Sequence, residues 1–191
     1  MIHQTLYLIR HTSVAIQQGI CYGQSDLPCT EQFYDEAAII RRILPHSLTF
    51  ISSPLQRCTK LADYLSGGAF EIDDRLKELS FGDWELKAWS DIPRDESDPW
   101  CDDYVELAPP GGESVRVLIA RAKDFIESLK MRTSLGPCAI ISHRGCLGAI
   151  LVSLLDLPSD AIFSFSCGIG SITQFLPSGC LLPLIDGTTR K

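Results

Sequence analysis

Two short apolar runs restrict the fold of this chain more than any other feature. The first covers residues 6–9 (Leu-Tyr-Leu-Ile) and the second covers residues 138–141 (Cys-Ala-Ile-Ile). Runs without polar alternation are typical of strands buried on both faces of a parallel sheet. Arg10 and His11 follow the first run, and His143 follows the second after one serine. Because ligands of open α/β sheets bind at the carboxyl ends of strands, we expect these side chains at a functional edge.

Helical and further strand patterns alternate with these runs. The predicted helices cover residues 30–44 with Thr30 as the N-cap, 55–65, 115–132 and 145–155. Further strands are predicted over residues 48–52 and 70–72, with two late strands, antiparallel and at an edge, over 162–166 and 172–176. Residues 85–110 have a weak pattern and are expected to form a small lid of short helical pieces. This alternation predicts a doubly wound α/β fold, a three-layer sandwich whose central sheet is mostly parallel with helices on both faces.

Length and charge narrow the class of protein. At 191 residues with 45% hydrophobic content, the chain can bury a sizeable core, and one domain spanning residues 1–191 is expected. The net charge of −7 argues against broad binding to nucleic acids or anionic membranes, so an anionic ligand would need a locally basic pocket. Residues 1–4 lead straight into the first apolar run, which predicts no signal peptide and a cytoplasmic location.

The cysteines and histidines do not form a familiar metal motif. The eight cysteines include no C-x-x-C pair, and the four histidines include no H-E-x-x-H sequence. We therefore expect reduced, mostly buried thiols, no metal site and no cofactor.

Four basic side chains are predicted at the carboxyl edge of the sheet: Arg10, His11, Arg57 and His143. Taken singly, each has an ordinary explanation, since Arg57 suits an exposed helix turn and His143 suits a hydrogen-bonded core histidine. Taken together, they suit a phosphate group. Guanidinium groups present fixed forks of donors to phosphate oxygens, and imidazoles supply a nucleophile and a further donor.

Six motifs in order resemble the histidine phosphatase superfamily, also known as the phosphoglycerate mutase-like family. They are Leu-Ile-Arg-His-Thr at 8–12, Tyr-Gly-Gln-Ser-Asp at 22–26, Ser-Ser-Pro-Leu-Gln-Arg at 52–57, Glu-Leu-Ser-Phe-Gly-Asp-Trp-Glu at 78–85, Pro-Gly-Gly-Glu-Ser at 110–114 and Ser-His at 142–143. The match covers nearly the whole chain. Within the family, the second and fourth motifs are most similar to the α-ribazole phosphatases of cobalamin synthesis.

This resemblance implies catalysis through a phosphohistidine. His11 would attack phosphorus as a neutral imidazole and form a covalent intermediate. Arg10, Arg57 and His143 would surround the phosphoryl oxygens and stabilise the transition-state charge without a metal.

The resemblance also implies a carboxylic acid that protonates the leaving oxygen and then activates water. Glu78 is the expected residue, because the family places its acid at the first glutamate of this motif. Asp83 and Glu85 remain alternatives at this stage.

Other residues of these motifs are candidates for substrate recognition. Tyr22, Gln24 and Ser25 are expected to bind the substrate, in a loop that can fold over the pocket. Two positions depart from the common pattern, with Thr12 and Arg144 in place of glycine. We group Arg144 with the phosphate-binding residues through its backbone N–H, whereas its side chain either reaches the substrate or pairs with a lid carboxylate.

The expected function is therefore a metal-independent phosphomonoesterase that dephosphorylates α-ribazole 5′-phosphate. The alternatives are a broad-specificity sugar or nucleotide phosphatase, a phosphoglycerate mutase, and a phosphate-binding module without turnover. The expected partner is a small-molecule phosphate ester, and a homodimer is left open.

Overall fold

The computed structural model describes residues 2–187, which contain a sheet of six strands. The strands are β1 Leu6–Arg10, β2 Thr49–Ser52, β3 Phe70–Ile72, β4 Cys138–Ser142, β5 Ile172–Phe175 and β6 Leu181–Ile185. Their order across the sheet is β3-β2-β4-β1-β5-β6. The first four strands are parallel, whereas β5 is antiparallel to β1 and to β6.

Helices cover both faces of this sheet. They are α1 Phe33–Ile43, α2 Gln56–Ser66, α3 Arg94–Asp102, α4 Val115–Lys130 and α5 Arg144–Leu155. Shorter 3₁₀ segments lie at Asp74–Leu76, Gly82–Trp84, Trp89–Asp91 and Ser159–Phe163. The helices α4 and α5 share one hydrophobic core with the sheet, and α1 and α2 share the other. The predicted three-layer α/β architecture is confirmed.

The apolar runs lack alternation because each strand face has its own core. Leu8 packs in the core under α4 and α5, whereas its neighbour Ile9 packs in the core under α1 and α2. In β4 the adjacent residues Ile140 and Ile141 divide between the two cores in the same way. Residues 6–9 of β1 and every residue of β4 are therefore buried, as in other parallel sheets covered on both sides.

Strand register brings the two histidines to the same edge. Arg10 lies opposite Ser142 in the parallel pairing of β1 with β4. The backbone N–H of His11 donates to the carbonyl of Ser142 at 3.1 Å. His11 and His143 consequently leave the sheet side by side.

The predicted strand over residues 162–166 is wrong, because this segment begins as the 3₁₀ turn Ser159–Phe163. The turn packs on α5, where Gly148 permits a close backbone approach. A Cβ atom added to Gly148 would lie only 2.1 Å from the carbonyl oxygen of Ile162. Burial of Ile162 against a helix, rather than against a second strand, produces the apolar alternation seen in the sequence.

Two smaller expectations also require correction. The late strand over 172–176 is β5, which is antiparallel as expected but internal, because the unforeseen strand β6 occupies the edge. Thr30 is not the N-cap of the first helix, since α1 begins at Phe33 and its N-cap is Gln32.

Residues 85–110 form short helical pieces, as predicted, around a group of tryptophans. Trp84 is buried, and its ring contacts those of Trp89 and Trp100. The indole N–H of Trp84 donates to a carboxylate oxygen of Glu96 in α3 at 2.8 Å. Movement of this segment as a lid stays a prediction. Within residues 2–187, no helix is both long enough and apolar enough to cross a membrane.

Candidate active site

A cavity of about 250 Å³ opens at the carboxyl ends of β1 and β4. Five residues singled out from the sequence line it: Arg10, His11, Tyr22, Glu78 and Arg144. The remaining lining residues are Leu79, Phe81, Trp89, Gly145 and Phe163. The cavity therefore has a basic inner end and aromatic walls.

His11 is buried with its ring oriented by the backbone. Its Nδ1 lies 2.7 Å from the carbonyl oxygen of Thr12, which can only accept, so Nδ1 carries the proton. The lone pair of the neutral ring is therefore on Nε2. Burial, followed by the charges of Arg10 and Arg57, holds the pKa of His11 well below 6.5, although the Thr12 carbonyl opposes this shift. The imidazole is consequently neutral near pH 7 and can act as a nucleophile.

His143 lies directly behind His11 and does not line the cavity. Its ring centroid is 5.2 Å from that of His11. Its Nδ1 accepts from Nε of Arg57 at 3.2 Å, so its Nε2–H faces the hydroxyl of Ser53 at 2.8 Å. Burial, followed by the charges of Arg57, His11 and Arg10, lowers the pKa of His143 well below 6.5. Direct contact of His143 with a phosphate group stays a prediction.

Arg57 is fully buried beside both histidines. Besides its bond to His143, it donates to the carbonyl of Gly23 at 2.6 Å and to that of Ser25 at 2.8 Å. Arg57 also lies outside the cavity lining. Its three hydrogen bonds use only part of a guanidinium's five N–H donors.

Two cations near His11 have no carboxylate partner among residues 2–187. Neither Arg10 nor Arg57 takes part in a salt bridge there. Arg10 donates from Nη1 to the carbonyl of Cys167 at 2.7 Å, while its buried Nε has no hydrogen-bond partner within this part of the chain. Uncompensated guanidinium groups with spare donors favour an anion beside His11.

The loop of Tyr22 to Ser25 is held by Glu85. The carboxylate of Glu85 accepts from the N–H groups of Gln24 at 2.9 Å and Phe81 at 3.1 Å, and from the N–H and hydroxyl of Ser25. Burial raises the pKa of Glu85, but the hydrogen bonds from Ser25, Gln24 and Phe81 outweigh it and lower the pKa overall. Glu85 thus supports the loop whose carbonyls bind Arg57.

The two other predicted residues of this loop face the protein. The side-chain amide of Gln24 donates to the carbonyl of Glu78 at 3.0 Å, and Ser25 is bound to Glu85. Neither lines the cavity, in contrast to Tyr22. Their predicted contact with substrate is untested, and the structure shows them supporting the site.

Among the three carboxylates considered from the sequence, Glu78 is the one that lines the cavity. Asp83 is exposed, and Glu85 is occupied by the loop. The carboxylate of Glu78 accepts from the N–H groups of Leu79 at 3.0 Å and of Gly145 and Cys146 at 3.1 Å. The last two belong to the first turn of α5, where the helix dipole favours a negative charge. Glu78 thereby lines the same cavity as Arg10 and His11.

Aromatic rings form the outer part of the cavity. The ring centroids of Phe81 and Trp89 are 5.4 Å apart, and Phe81 connects through Trp100 and Tyr104 to Phe163 by contacts of 5.8, 6.2 and 5.5 Å. These contacts form an aromatic arc from 81 to 163 beside the basic end of the cavity. The sequence does not reveal Phe163 as a cavity residue, because its pattern predicts a strand over 162–166 whereas Phe163 ends a 3₁₀ turn.

Arg144 is exposed at the cavity and has its guanidinium carbon 5.9 Å from the centroid of Phe163. Arg144 forms no salt bridge with any residue between 2 and 187. The predicted alternative, in which Arg144 pairs with a lid carboxylate, is therefore not observed in this part of the chain. The side chain lines the cavity, and its contact with a substrate stays a prediction.

Comparison with known proteins agrees with this geometry. The family model for the histidine phosphatase superfamily (branch 1) matches residues 6–180. The adenosylcobalamin/α-ribazole phosphatase of Salmonella typhimurium is 27% identical over 169 residues, covering 84% of each chain. The glucosyl-3-phosphoglycerate phosphatase of Mycolicibacterium vanbaalenii is 29% identical over 173 residues, covering 81% of this chain and 76% of the relative.

A solved structure shows the same fold. The α-ribazole phosphatase from Shigella flexneri superposes with a TM-score of 0.86 at 22% identity, covering 98% of this chain and 100% of the other. The agreement extends over the entire arrangement of sheet and flanking helices.

Proposed function

The chain belongs to branch 1 of the histidine phosphatase superfamily, and we propose on this basis that it hydrolyses phosphate monoesters through a phosphohistidine at His11. The observation that carries the proposal is a buried, neutral imidazole beside two guanidinium groups that lack carboxylate partners among residues 2–187. A module that only binds phosphate needs the cations, but it needs neither the nucleophile nor an acid in the same cavity.

In the first step, the lone pair of His11 Nε2 forms a bond to phosphorus as the bond from phosphorus to the ester oxygen breaks. Donation of Nδ1–H to the Thr12 carbonyl holds the ring in this tautomer and stabilises the positive charge that it acquires. Splitting the hydrolysis into two displacements lowers the barrier of each.

Arg10 and Arg57 stabilise the charge on the transferring phosphoryl group, and His143 becomes a further donor when its Nε2–H exchanges the Ser53 hydroxyl for a phosphoryl oxygen. The hydrogen bonds of Arg57 to the Gly23 and Ser25 carbonyls fix its guanidinium before substrate arrives. Such preorganised donors avoid reorganisation in the transition state, which is the largest source of catalysis in phosphoryl transfer.

Glu78 handles the protons. It transfers a proton to the departing ester oxygen, and its carboxylate then takes a proton from the water that attacks the phosphohistidine. The second displacement releases inorganic phosphate and restores neutral His11. The position of Glu78 in the same cavity as Arg10 and His11 supports this role.

We propose α-ribazole 5′-phosphate as the substrate. The aromatic walls contributed by Tyr22, Phe81, Trp89 and Phe163 suit a leaving group with a flat aromatic base, and Arg144 can interact with its sugar or base. The similarity to the Salmonella typhimurium enzyme supports the same assignment.

All eight cysteines are unpaired, which supports a cytoplasmic location, where thiols stay reduced.

Trapping of the intermediate tests the mechanism. Brief reaction with ³²P-labelled substrate and an alkaline quench should give a base-stable, acid-labile phosphoprotein, and His11→Ala should abolish it. His46→Ala is the matched control, because His46 is exposed and outside the cavity. Label retained by His11→Ala, or activity lost in chelator, would contradict the mechanism.

Competition between esters tests the substrate. The kcat/KM for α-ribazole 5′-phosphate should exceed those for glucosyl-3-phosphoglycerate, sugar phosphates and nucleoside monophosphates by at least about tenfold, the effect of about 1.4 kcal/mol of differential binding. A broad, flat profile would instead identify a general sugar or nucleotide phosphatase.

A further inference from the structure

The guanidinium of Arg121, on α4, is bound on all sides. It donates from Nη1 to the carbonyls of Arg75 and Lys77 at 2.7 Å, and from Nη2 to the carbonyl of Glu78 at 2.8 Å. It also forms two hydrogen bonds to the carboxylate of Glu113, of 3.2 and 2.5 Å. These bonds satisfy all five N–H donors of the arginine.

The Glu113 carboxylate extends the same contact to the other side of Glu78. Its Oε1 accepts from the backbone N–H of Ser80 at 3.1 Å, and only 14% of its side chain is exposed. In the sequence, Glu113 is the acid of the Pro-Gly-Gly-Glu-Ser motif at 110–114. Together, Arg121 and Glu113 bind three carbonyls and one amide within residues 75–80.

Residues 75–80 have no regular structure beyond one 3₁₀ turn that ends at Leu76. The backbone of Glu78 therefore owes its position to the side chains that bind it. At the other end of the same residue, the carboxylate rests on the N–H groups of Gly145 and Cys146 in α5. Glu78 thus lies between α4 and α5, anchored to each.

We propose that Arg121, with Glu113, is a positioning residue that sets the reach of Glu78 toward the leaving oxygen. This rests on the proposed role of Glu78 as acid and base. Proton transfer requires hydrogen-bond distance to the reacting oxygen, and a misplacement of about 1 Å costs on the order of 10²-fold in rate. A lysine in place of Arg121 keeps the charge but has three donors at a single nitrogen, so it cannot bind carbonyls spread over residues 75–78 and Glu113 together.

The test is Arg121→Lys, measured with two esters. The kcat for an alkyl phosphate, which needs the acid, should fall by roughly 10²-fold, whereas kcat for p-nitrophenyl phosphate should fall only a fewfold. In a Glu78→Gln background, Arg121→Lys should cause little further loss, because both changes remove the same function. Equal loss on both esters, or independent losses in the double variant, would overturn the proposal.

Arg132→Lys is the matched control. Arg132 forms an equally bidentate pair with Glu71, but both side chains are exposed and neither touches residues 75–80. This variant should retain the activity of the unmodified protein on both esters.

Two measurements keep the test decisive. If Arg121→Lys does not fold, Glu113→Gln replaces it. The glutamine amide keeps the shape of the glutamate side chain but weakens its bonds to Arg121 and Ser80. The kcat for the alkyl phosphate should again fall much more than that for p-nitrophenyl phosphate. Amide hydrogen exchange needs no activity: Arg121→Lys should accelerate exchange at Ser80 and Gly145 at least about tenfold relative to Arg132→Lys. A protein without phosphatase activity would refute the proposed function, whereas unchanged exchange would refute the positioning role.

Discussion

Gly145→Ala should lower activity far more than stability, because an added Cβ atom would collide with the carboxylate of Glu78. A Cβ atom at Gly145 would lie 2.6 Å from Oε1 of Glu78 and 3.5 Å from the nearest atom of Leu118. The second distance is an ordinary contact, so the conflict is with the carboxylate alone. That carboxylate is the end of a flexible side chain lining a cavity, so it can move while the helix keeps its place.

The magnitudes follow from these distances. The carboxylate must retreat by about 0.8 Å to reach the 3.4 Å at which ordinary contacts begin, and a displacement near 1 Å costs roughly 10²-fold in rate. Alanine in a helix is favoured over glycine by about 0.5–1 kcal/mol. The N–H groups of Gly145 and Cys146, both buried, would lose the Glu78 oxygens that accept from them, and this loss opposes the gain. The free energy of unfolding should therefore fall by no more than about 2 kcal/mol.

The assay combines kinetics with urea denaturation. We expect kcat for an alkyl phosphate to fall by roughly 10²-fold, with p-nitrophenyl phosphate much less affected. Gly136→Ala is the control, because a Cβ atom there meets nothing within 4 Å. Full activity of Gly145→Ala on the alkyl ester would refute the reasoning. So would a loss of several kcal/mol in stability, which would show that the helix moves instead of Glu78.

The remaining predictions concern the acid, the substrate contacts and pH. Glu78→Gln should lower turnover of alkyl phosphates by roughly 10²-fold or more and spare activated aryl esters, and equal losses would indicate a different role. Arg144→Gly should raise KM for α-ribazole 5′-phosphate with kcat retained, and an unchanged KM would mean that its side chain does not reach the substrate. Phe163→Ala should raise KM for esters with aromatic leaving groups more than for glycerol phosphate, which a steady-state comparison checks. In phosphate-free buffer, the free energy of unfolding should decrease as the pH falls below 6.5. His11 and His143 bind protons in the unfolded chain at that pH, whereas their lowered pKa values keep them neutral in the folded protein. Urea titrations should show a slope of up to about 2.7 kcal/mol per pH unit for the two groups, and a flat profile between pH 7 and 5 would contradict their neutral state.

The sequence by itself determined the sheet and the edge at which the site lies. Residues 6–9 and 138–141 are apolar at every position, which is typical of strands in a sheet covered on both faces, and the structure places them in β1 and β4. Because parallel strands end at the same edge, the positions of His11 and His143 followed from the strand assignments alone. The role of Glu78 in the site depended on a resemblance of motifs, since its segment has no periodicity.

Local sequence was insufficient where packing between distant segments decides the conformation. The alternation of residues 162–166 is equally compatible with a strand and with a turn lying on a helix. Gly148 selects the turn, because it removes the side chain that would hold the backbone of Ile162 away from α5. The placement of Phe163 at the cavity is a consequence of that contact.

The supports of the site were likewise decided by tertiary structure. Nothing in the sequence around Gly145 indicates why it is a glycine. In the fold, the carboxylate of Glu78, 67 residues away in the chain, lies where a side chain at position 145 would be. Arg121 has the pattern of any helix arginine until the fold brings its guanidinium to the carbonyls of residues 75, 77 and 78. Hydrogen bonds of this kind join polar groups that are remote in the chain, and they leave no periodic signal, whereas burial on a strand or helix repeats with the geometry of the backbone.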